Sequence, residues 1–127
     1  MCWINDFDKI SIAEEDITCY KVFRKGYFKK DSNGNVIKIA SYYRFYTYYI
    51  NKLCRTIKIR IQYDKYKKVY FINEGYHSYV DQAVAKYKIK NSDTFILKCI
   101  IPKGTKYAEN RDGELVSSTI IITKEIA

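Results

Sequence analysis

The stretch Ile57-Lys-Ile-Arg-Ile-Gln-Tyr63 alternates apolar and polar residues with a period of two. Successive side chains of a β-strand point to opposite faces, so this pattern predicts a half-buried antiparallel strand with one apolar face. The charged residues 65–68 that follow are typical of a turn, and the apolar residues 69–72 predict a returning strand. This part of the chain therefore predicts antiparallel sheet.

A second pair of strands is predicted upstream. Residues 17–23 have the pattern of a first strand, and residues 36–40 that of the strand returning to it. Between them lies Asp31-Ser-Asn-Gly-Asn35, in which Asn33-Gly34 favours a tight hairpin because both residues tolerate positive φ. The aromatic residues 42–50 are compatible with either a strand or an ordered loop.

One helix is predicted downstream, near residues 79–90. Ser78 can cap its first turn, and Asp81 lies three residues further on, which makes an approximate capping box. Apolar side chains then follow at the spacing of a helical stripe that packs on a sheet, at Val80, Ala83, Val84 and Tyr87. Asn91 and Ser92 end the pattern.

Two further strands complete the expected fold. Residues 95–101 are apolar almost throughout and predict a central strand, and residues 119–123 predict the last one. The chain has 127 residues, of which 47% are hydrophobic, so one domain is expected over residues 1–127. The predicted fold class is α+β, with a mainly antiparallel sheet and one short helix in a single compact domain.

Composition also bounds the compartment and the chemistry. No apolar run approaches the ~18 residues that span a bilayer, and the first sixteen residues carry five acids against one lysine, unlike a secretory signal. We therefore expect a cytoplasmic protein with no membrane partner. The four cysteines include no Cys-x-x-Cys pair and His77 is the only histidine, so neither a metal nor a cofactor is expected. Cys19 and Cys99 lie in apolar runs and are expected to be buried.

The strongest functional signal is the mixture of tyrosine and positive charge in residues 20–70. This window holds fourteen Lys or Arg and two acids, a net charge of +12 against +9 for the whole chain. Aromatic faces stack on flat ligands and cations hold phosphates, so the mixture predicts a cradle for a small nucleotide-like anion. A second interpretation is left open, in which the tyrosines pack in the core and the lysines protect strand edges from aggregation.

The candidate ligand-binding residues follow from this mixture. Aromatic side chains would stack on a base, and arginines would neutralise phosphates because the guanidinium fork suits bidentate contact. His77 and Ser78 would contact a phosphate or ribose from a polar loop, residues 74–79, because backbone amides at a helix start bind anions. Alternatively, Ser78 merely caps the helix and His77 fills space. The full set is Arg24, Tyr42, Tyr43, Arg44, Phe45, Tyr46, Arg55, Arg60, His77 and Ser78.

Two charged groups outside this set have both a functional and a structural interpretation. Lys58 shares the polar face of its strand with Arg60 and could extend a basic stripe, although a solvated face is the commoner role of such charges. Glu109, Asp112 and Glu114 predict an acidic loop before the last strand, where carboxylates either do acid–base chemistry or solvate a turn.

Part of the chain resembles ADP-ribosyltransferase-type folds. The matching elements are Tyr20-Lys-Val-Phe-Arg24 as an early strand bearing an arginine, Tyr76-His-Ser78 as a serine-containing strand before a helix, and Ile101-Pro-Lys-Gly-Thr-Lys-Tyr107 as a strand ending in a Pro-x-Gly-Thr turn. The resemblance implies an enzyme acting on NAD through Arg24, Ser78 and Glu114. The family's catalytic glutamate precedes or begins a late strand. The chain departs from that pattern, with Glu114 as the near candidate.

A second resemblance is to small uncharacterised proteins of gut bacteria and their phages. It is carried by Asp16-Ile-Thr-Cys-Tyr-Lys-Val22, Glu74-Gly-Tyr-His-Ser78 and Cys99-Ile-Ile-Pro-Lys-Gly-Thr-Lys-Tyr107. Small basic phage proteins include anti-defence sponges, which trap nucleotide immune signals such as cyclic ADP-ribose isomers and cyclic oligonucleotides. Size, charge and aromatic content extend the resemblance to these sponges, which implies a viral nucleotide-binding protein in the host cytoplasm.

Three functions are compatible with these observations. The first is non-catalytic sequestration of a small phosphate-bearing nucleotide, by a homo-oligomer whose subunit interface encloses the anion. The second is an ADP-ribosyltransferase-like enzyme. The third is a basic module that binds nucleic acid or a host protein, with a salt-sensitive affinity that comes from its charge of +9.

Overall fold

The structure, a computed structural model, describes residues 7, 9–41, 47–88 and 93–126. These residues form eleven strands and one helix. In chain order they are β1 (Ser11–Ile12), β2 (Ile17–Lys30), β3 (Val36–Ser41), β4 (Thr47–Tyr49), β5 (Ile61–Asp64), β6 (Val69–Ile72), β7 (Tyr76–Tyr79), α1 (Gln82–Lys88), β8 (Thr94–Ile101), β9 (Lys106–Glu109), β10 (Glu114–Ser117) and β11 (Ile121–Ile126).

Strand β2 organises the larger sheet. One of its edges pairs antiparallel with β8 over eight consecutive positions, from Ile17 opposite Ile101 to Arg24 opposite Thr94. Its other edge is shared, because β7 pairs with it at Tyr20 and β3 pairs with its second half. The sheet runs in the order β1-β9-β10-β7-β2-β3-β4, while β8 and β11 extend it on the far edge of β2.

The segment after β4 brings the sheet back on itself. Ile50 and Leu53 form bridges with Ile122 and Ile121 of β11. The amide of Asn51 donates to the Ile122 carbonyl at 2.7 Å. Strands β2, β3, β4, β11 and β8 are therefore joined into a ring, which the segment after β4 completes through its two isolated bridges to β11.

Three apolar clusters lie inside this framework. The largest fills the ring and consists of Cys19, Phe23, Ile39, Tyr48, Leu97, Cys99, Ile101, Leu115, Ile120 and Ile122. The second contains Phe7, Ile59, Ile72, Ala108 and Val116. The third, Val22, Tyr79 and Ala85, packs the helix on the sheet.

Strands β5 and β6 form a separate two-stranded sheet, and we call residues 61–72 the arm. Ile61 lies opposite Ile72 and Tyr63 opposite Tyr70. The Asp64 carboxylate shapes the turn by accepting hydrogen bonds from the amides of Tyr66 and Lys67, at 2.9 and 3.1 Å. The turn at residues 65–68 and the strand at 69–72 are thus confirmed. A two-stranded hairpin is marginal alone, so its packing against the second cluster holds it in place.

The first strand of this pair is shorter than predicted. Residues 57–60 were expected to be strand, but β5 begins at Ile61. The amide of Ile57 donates instead to the Ser118 carbonyl at 2.7 Å, and Ile59 is buried in the second cluster. The apolar alternation therefore predicted burial correctly at Ile57, Ile59 and Ile61 but wrongly at Tyr63, which is exposed, and it placed the start of the strand too early.

The upstream hairpin is confirmed. Asp31 accepts hydrogen bonds from the amides of Asn33 and Asn35, and Gly34 has a φ of 80°. Strand β2 continues seven residues beyond the predicted end at Phe23. A register shift with β3 accommodates this length, and Gly26 supplies a φ of 80° within it.

The predicted helix start at Ser78 is wrong. Residues 76–79 are strand β7, paired along its whole length with β10, so the predicted polar loop at residues 74–79 is wrong as well. The helix begins at Gln82 and is capped by the Asp81 carboxylate, which accepts from the Val84 amide at 2.8 Å. Asn91 and Ser92, the predicted end of the helix, lie outside the described residues.

The acidic loop and the last strand also need correction. Glu109 ends β9 and Glu114 begins β10, so the loop between them is a tight turn at residues 110–113. The last strand runs from Ile121 to Ile126 rather than over 119–123. The coarse fold prediction is nevertheless confirmed, as a mainly antiparallel sheet with one short helix in a single compact domain. A seven-residue helix makes the α+β label a loose description.

Gly75, which links the arm to β7, should tolerate no side chain. Its φ is +140°, and a Cβ there would overlap Val116 Cγ1 and lie 2.9 Å from Ile59 Cγ2. Because the substitution combines backbone strain with overpacking, Gly75→Ala should lower the free energy of unfolding by about 2–4 kcal/mol, as measured by urea denaturation. Gly104→Ala is the matched control, because Gly104 has a φ of +87° but no atom within 4 Å of such a Cβ. Equal losses for the two variants would contradict the packing assigned to Gly75.

Candidate functional site

Positive charge is segregated along the chain. Residues 20–70 carry +12, whereas the rest of the chain holds nine bases and twelve acids. The two acids in the basic window, Asp31 and Asp64, both accept hydrogen bonds from backbone amides of turns. These carboxylates are therefore occupied locally, and the lysines and arginines around them dominate the surface potential.

The arm presents three exposed tyrosines. Tyr63 and Tyr70 are a cross-strand pair whose ring centroids lie 4.9 Å apart, and they are 53% and 50% exposed. Tyr66, in the turn, is 88% exposed, and the Lys65 ammonium lies 5.4 Å from its ring centroid. Large aromatic surface is costly to leave in water, so a run of such rings indicates a binding surface.

A similar arrangement of lysines and aromatic rings occurs on strands β2, β3 and β4, which also belong to the basic window. Tyr49 of β4 is half-exposed, with the ammonium groups of Lys38 and Lys52 at 5.5 and 5.3 Å from its ring centroid. Lys30 lies 5.4 Å from the ring centroid of the exposed Phe28. Exposed rings flanked by lysines thus recur on both hairpins of the basic window.

A polar cleft of about 150 Å³ lies at the root of the arm, and we call it the arm-root cleft. Its lining residues are Lys58, Arg60, Gln62, Asn73 and Glu74. The first three are alternate residues and project to one side, as their period predicts. Because Ile61 pairs with Ile72, the returning strand brings Asn73 and Glu74 beside them. The cleft therefore lies on the face of the arm opposite Tyr63 and Tyr70.

The structure does not bring the described members of the predicted ligand set into one pocket. Arg60 lines the arm-root cleft. Arg24 is half-buried on β2 opposite Thr94. Arg55 is exposed, and its carbonyl accepts a hydrogen bond from the Tyr76 hydroxyl at 2.6 Å. The remaining aromatic and basic members, Tyr42, Tyr43, Arg44, Phe45 and Tyr46, lie outside the described residues.

Ser78 and His77 point to opposite faces of β7. Ser78 is fully buried near the Cys19 thiol of the main core, and its hydroxyl has no hydrogen-bond partner among the residues that the structure describes. His77 is on the other face, where its ring centroid is 5.0 Å from that of Tyr79. The prediction that both residues lie at the start of the helix is wrong, because they belong to strand β7.

His77 forms part of a polar network with the β9–β10 turn. Its Nε2 lies 3.4 Å from Glu114 Oε2, and both side chains are largely buried. The Asn110 side-chain Nδ2 donates to the Glu114 carboxylate at 3.0 Å. The Asn110 Oδ1 accepts hydrogen bonds from the backbone amides of Asp112 and Glu114. This network ties β7 to the turn, and it places Glu114 against His77.

A buried lysine joins β2 to β7 beneath this network. Lys21 is only 9% exposed; its ammonium donates to the His77 carbonyl at 2.6 Å and lies 5.5 Å from the Tyr48 ring centroid. Cys19 and Cys99 are directly opposite each other on β2 and β8 and are fully buried, as expected. Contact between the two thiols lowers the pKa of Cys19 and raises that of Cys99.

Comparison of the chain with protein-family models, curated proteins and solved structures finds no match. Within residues 7, 9–41, 47–88 and 93–126, no three His, Cys, Asp or Glu side chains are grouped to hold a metal ion. No helix in that part of the chain has the length and apolarity to cross a membrane.

Sequence reasoning did not single out Tyr63, Tyr66 and Tyr70 of the arm, or Asn73 and Glu74 of the arm-root cleft. The signal for the tyrosines was present, because the predicted turn at residues 65–68 contains Tyr66 and the flanking strands place the other two side by side. The signal for the other two was not local. Asn73 and Glu74 join the cleft only through the register of the hairpin.

Proposed function

We propose that this protein binds single-stranded nucleic acid through the arm. The observation that carries the proposal is the row of exposed tyrosines on a lysine-rich hairpin, with Tyr66 at its tip. Proteins that bind single strands combine a cationic path for the phosphates with aromatic rings on which bases stack. The arm and its root supply both, and single strands offer the unpaired bases that duplexes conceal.

Charge supports a polymeric rather than a compact ligand. Lys65, Lys67 and Lys68 are exposed along the turn, and Lys58 and Arg60 are exposed at the root. Cations spread along a hairpin match a succession of phosphates better than a single phosphate group. Each phosphate that is neutralised releases counterions, which adds affinity at low salt.

Tyr66→Ala should weaken binding of a short uridine oligonucleotide by roughly 5- to 150-fold, because base–aromatic stacking contributes about 1–3 kcal/mol per base. Fluorescence anisotropy at fixed salt measures the change. Tyr87→Ala is the matched control, since Tyr87 is a highly exposed tyrosine on the helix, outside the arm. Similar losses for both variants, or no loss for Tyr66→Ala, would count against stacking on the arm.

Two lysines of the arm turn should contribute to the salt dependence of binding. If Lys65 and Lys67 each contact one phosphate, the double change to glutamine should reduce the slope of log K against log salt by about 1.4. The control changes Lys103 and Lys106 to glutamine, which removes the same charge from exposed positions outside the basic window. An equal reduction of the slope in both double variants would mean that net charge, rather than the arm, controls binding.

A second candidate is sequestration of a small phosphate-bearing nucleotide, of the cyclic nucleotide or cyclic ADP-ribose type. The arm-root cleft favours it, because Lys58 and Arg60 face the same small volume. At about 150 Å³ the cleft is smaller than the ~300 Å³ at which ligand pockets usually begin, so it fits part of a nucleotide. A panel of nucleotides in a thermal-shift assay tests it. A large shift with one nucleotide at high salt would support sequestration, and no shift would reject it.

A further inference from the structure

The arm-root cleft contains acceptors as well as cations. Lys58 and Arg60 supply positive charge, but Glu74 adds a carboxylate, and Gln62 and Asn73 add amides. A ligand made only of phosphate would be repelled by Glu74. The lining instead suits a group in which an anion stands next to hydrogen-bond donors.

Asn73 contributes a further acceptor beside the cleft. Its Oδ1 is buried and has no hydrogen-bond partner among the residues that the structure describes. A buried acceptor left unpaired is unfavourable, by an amount comparable to a lost hydrogen bond. The terminal torsion of an asparagine is soft, so a modest rotation would turn this oxygen toward a donor placed in the cleft.

Ribose phosphate has the required combination of groups. Its phosphate would face Lys58 and Arg60, and its 2′-hydroxyl, which stays free within an RNA strand, would donate to Glu74 or Asn73. A carboxylate that accepts from a ribose 2′-hydroxyl is a known solution in dinucleotide sites, and the 2′-hydroxyl is what distinguishes RNA from DNA. The small volume of the cleft admits one sugar-phosphate unit and leaves the base outside.

We infer that the arm-root cleft takes a ribose-phosphate unit, and that the protein therefore prefers RNA to DNA. The inference rests on the proposed function for its preferred source, a strand of RNA. A free ribonucleotide carries the same chemistry and is the other source. The base is not read in this cleft, so the preference concerns the sugar and is independent of sequence.

The test compares oligo(U) with oligo(dU) of equal length, which differ only in the 2′-hydroxyl. Fluorescence anisotropy should show the RNA bound at least about fivefold more tightly, the effect of one added hydrogen bond. Glu74→Leu and Asn73→Leu each remove an acceptor, and the variant that removes the partner of the 2′-hydroxyl should bring the ratio of the two affinities close to one. The ratio is the readout because removing a carboxylate raises the affinity for both polyanions alike.

Glu109→Gln is the matched control for charge, since Glu109 is an exposed acid on β9 and does not line the cleft. It should leave the ratio at its wild-type value. Circular dichroism checks that each variant is folded, and the wild-type ratio by itself decides the RNA preference if a variant does not fold.

The outcomes separate the inference from the proposed function. Binding of neither oligonucleotide overturns both, whereas equal binding of RNA and DNA overturns only the inference. An RNA preference that survives in both cleft variants overturns the assignment to the cleft. Competition by uridine monophosphate identifies the source: displacement at concentrations close to those of the oligonucleotide supports the cleft but overturns the strand as its ligand. If uridine monophosphate fails to displace the RNA, the RNA strand is supported as the ligand of the cleft.

Discussion

Pairing between β2 and β8 is the constraint on which the rest of the structure depends. It runs over eight residues on each strand, and within it Cys19 faces Cys99 in the fully buried interior. With one edge of β2 occupied in this way, β7 and β3 must share the other, and β2 accommodates both with a register shift near Gly26. The ring is completed at Ile50 and Leu53, and the chain then continues into the arm.

The separation of core from charge follows from this framework. The ring and the sheet beyond it are filled with aliphatic and aromatic side chains, so most of the described lysines and arginines of residues 20–70 lie on strand faces and turns, and the buried Lys21 is an exception. Ile59 and Ile72 anchor the arm in the second cluster, whereas its tip keeps Tyr66 and its lysines in solvent. A root fixed by two core residues thus holds a cationic, aromatic surface in place.

Local patterns predicted those parts of the fold that local chemistry determines. The turn at Asn33-Gly34, the strand at residues 69–72 and the apolar strand at residues 95–101 all carry their own signals, and each was predicted. Strands β7, β9 and β10 carry no clear local pattern because they are short and mix polar with apolar residues, and they become strands by pairing with neighbouring strands. Only the resemblance to ADP-ribosyltransferase-type folds implied a strand at residues 76–78. The misplaced helix cap has the same origin, since the pairing of Ser78 with Leu115 outweighs its local preference for a cap. In the cleft, the common direction of Lys58 and Arg60 was predictable, whereas the approach of Glu74 was not, because it depends on the hairpin register.

The most direct test of the account is photo-crosslinking of the protein to thiouridine-substituted RNA, with the crosslinked peptides mapped by mass spectrometry. Crosslinking captures contacts within bonding distance, so it reports the binding surface without any substitution. The account predicts crosslinks concentrated at Tyr63, Tyr66 and Tyr70, and lost when unlabelled RNA competes. Crosslinks confined to surfaces away from the arm, or none above background, would contradict it.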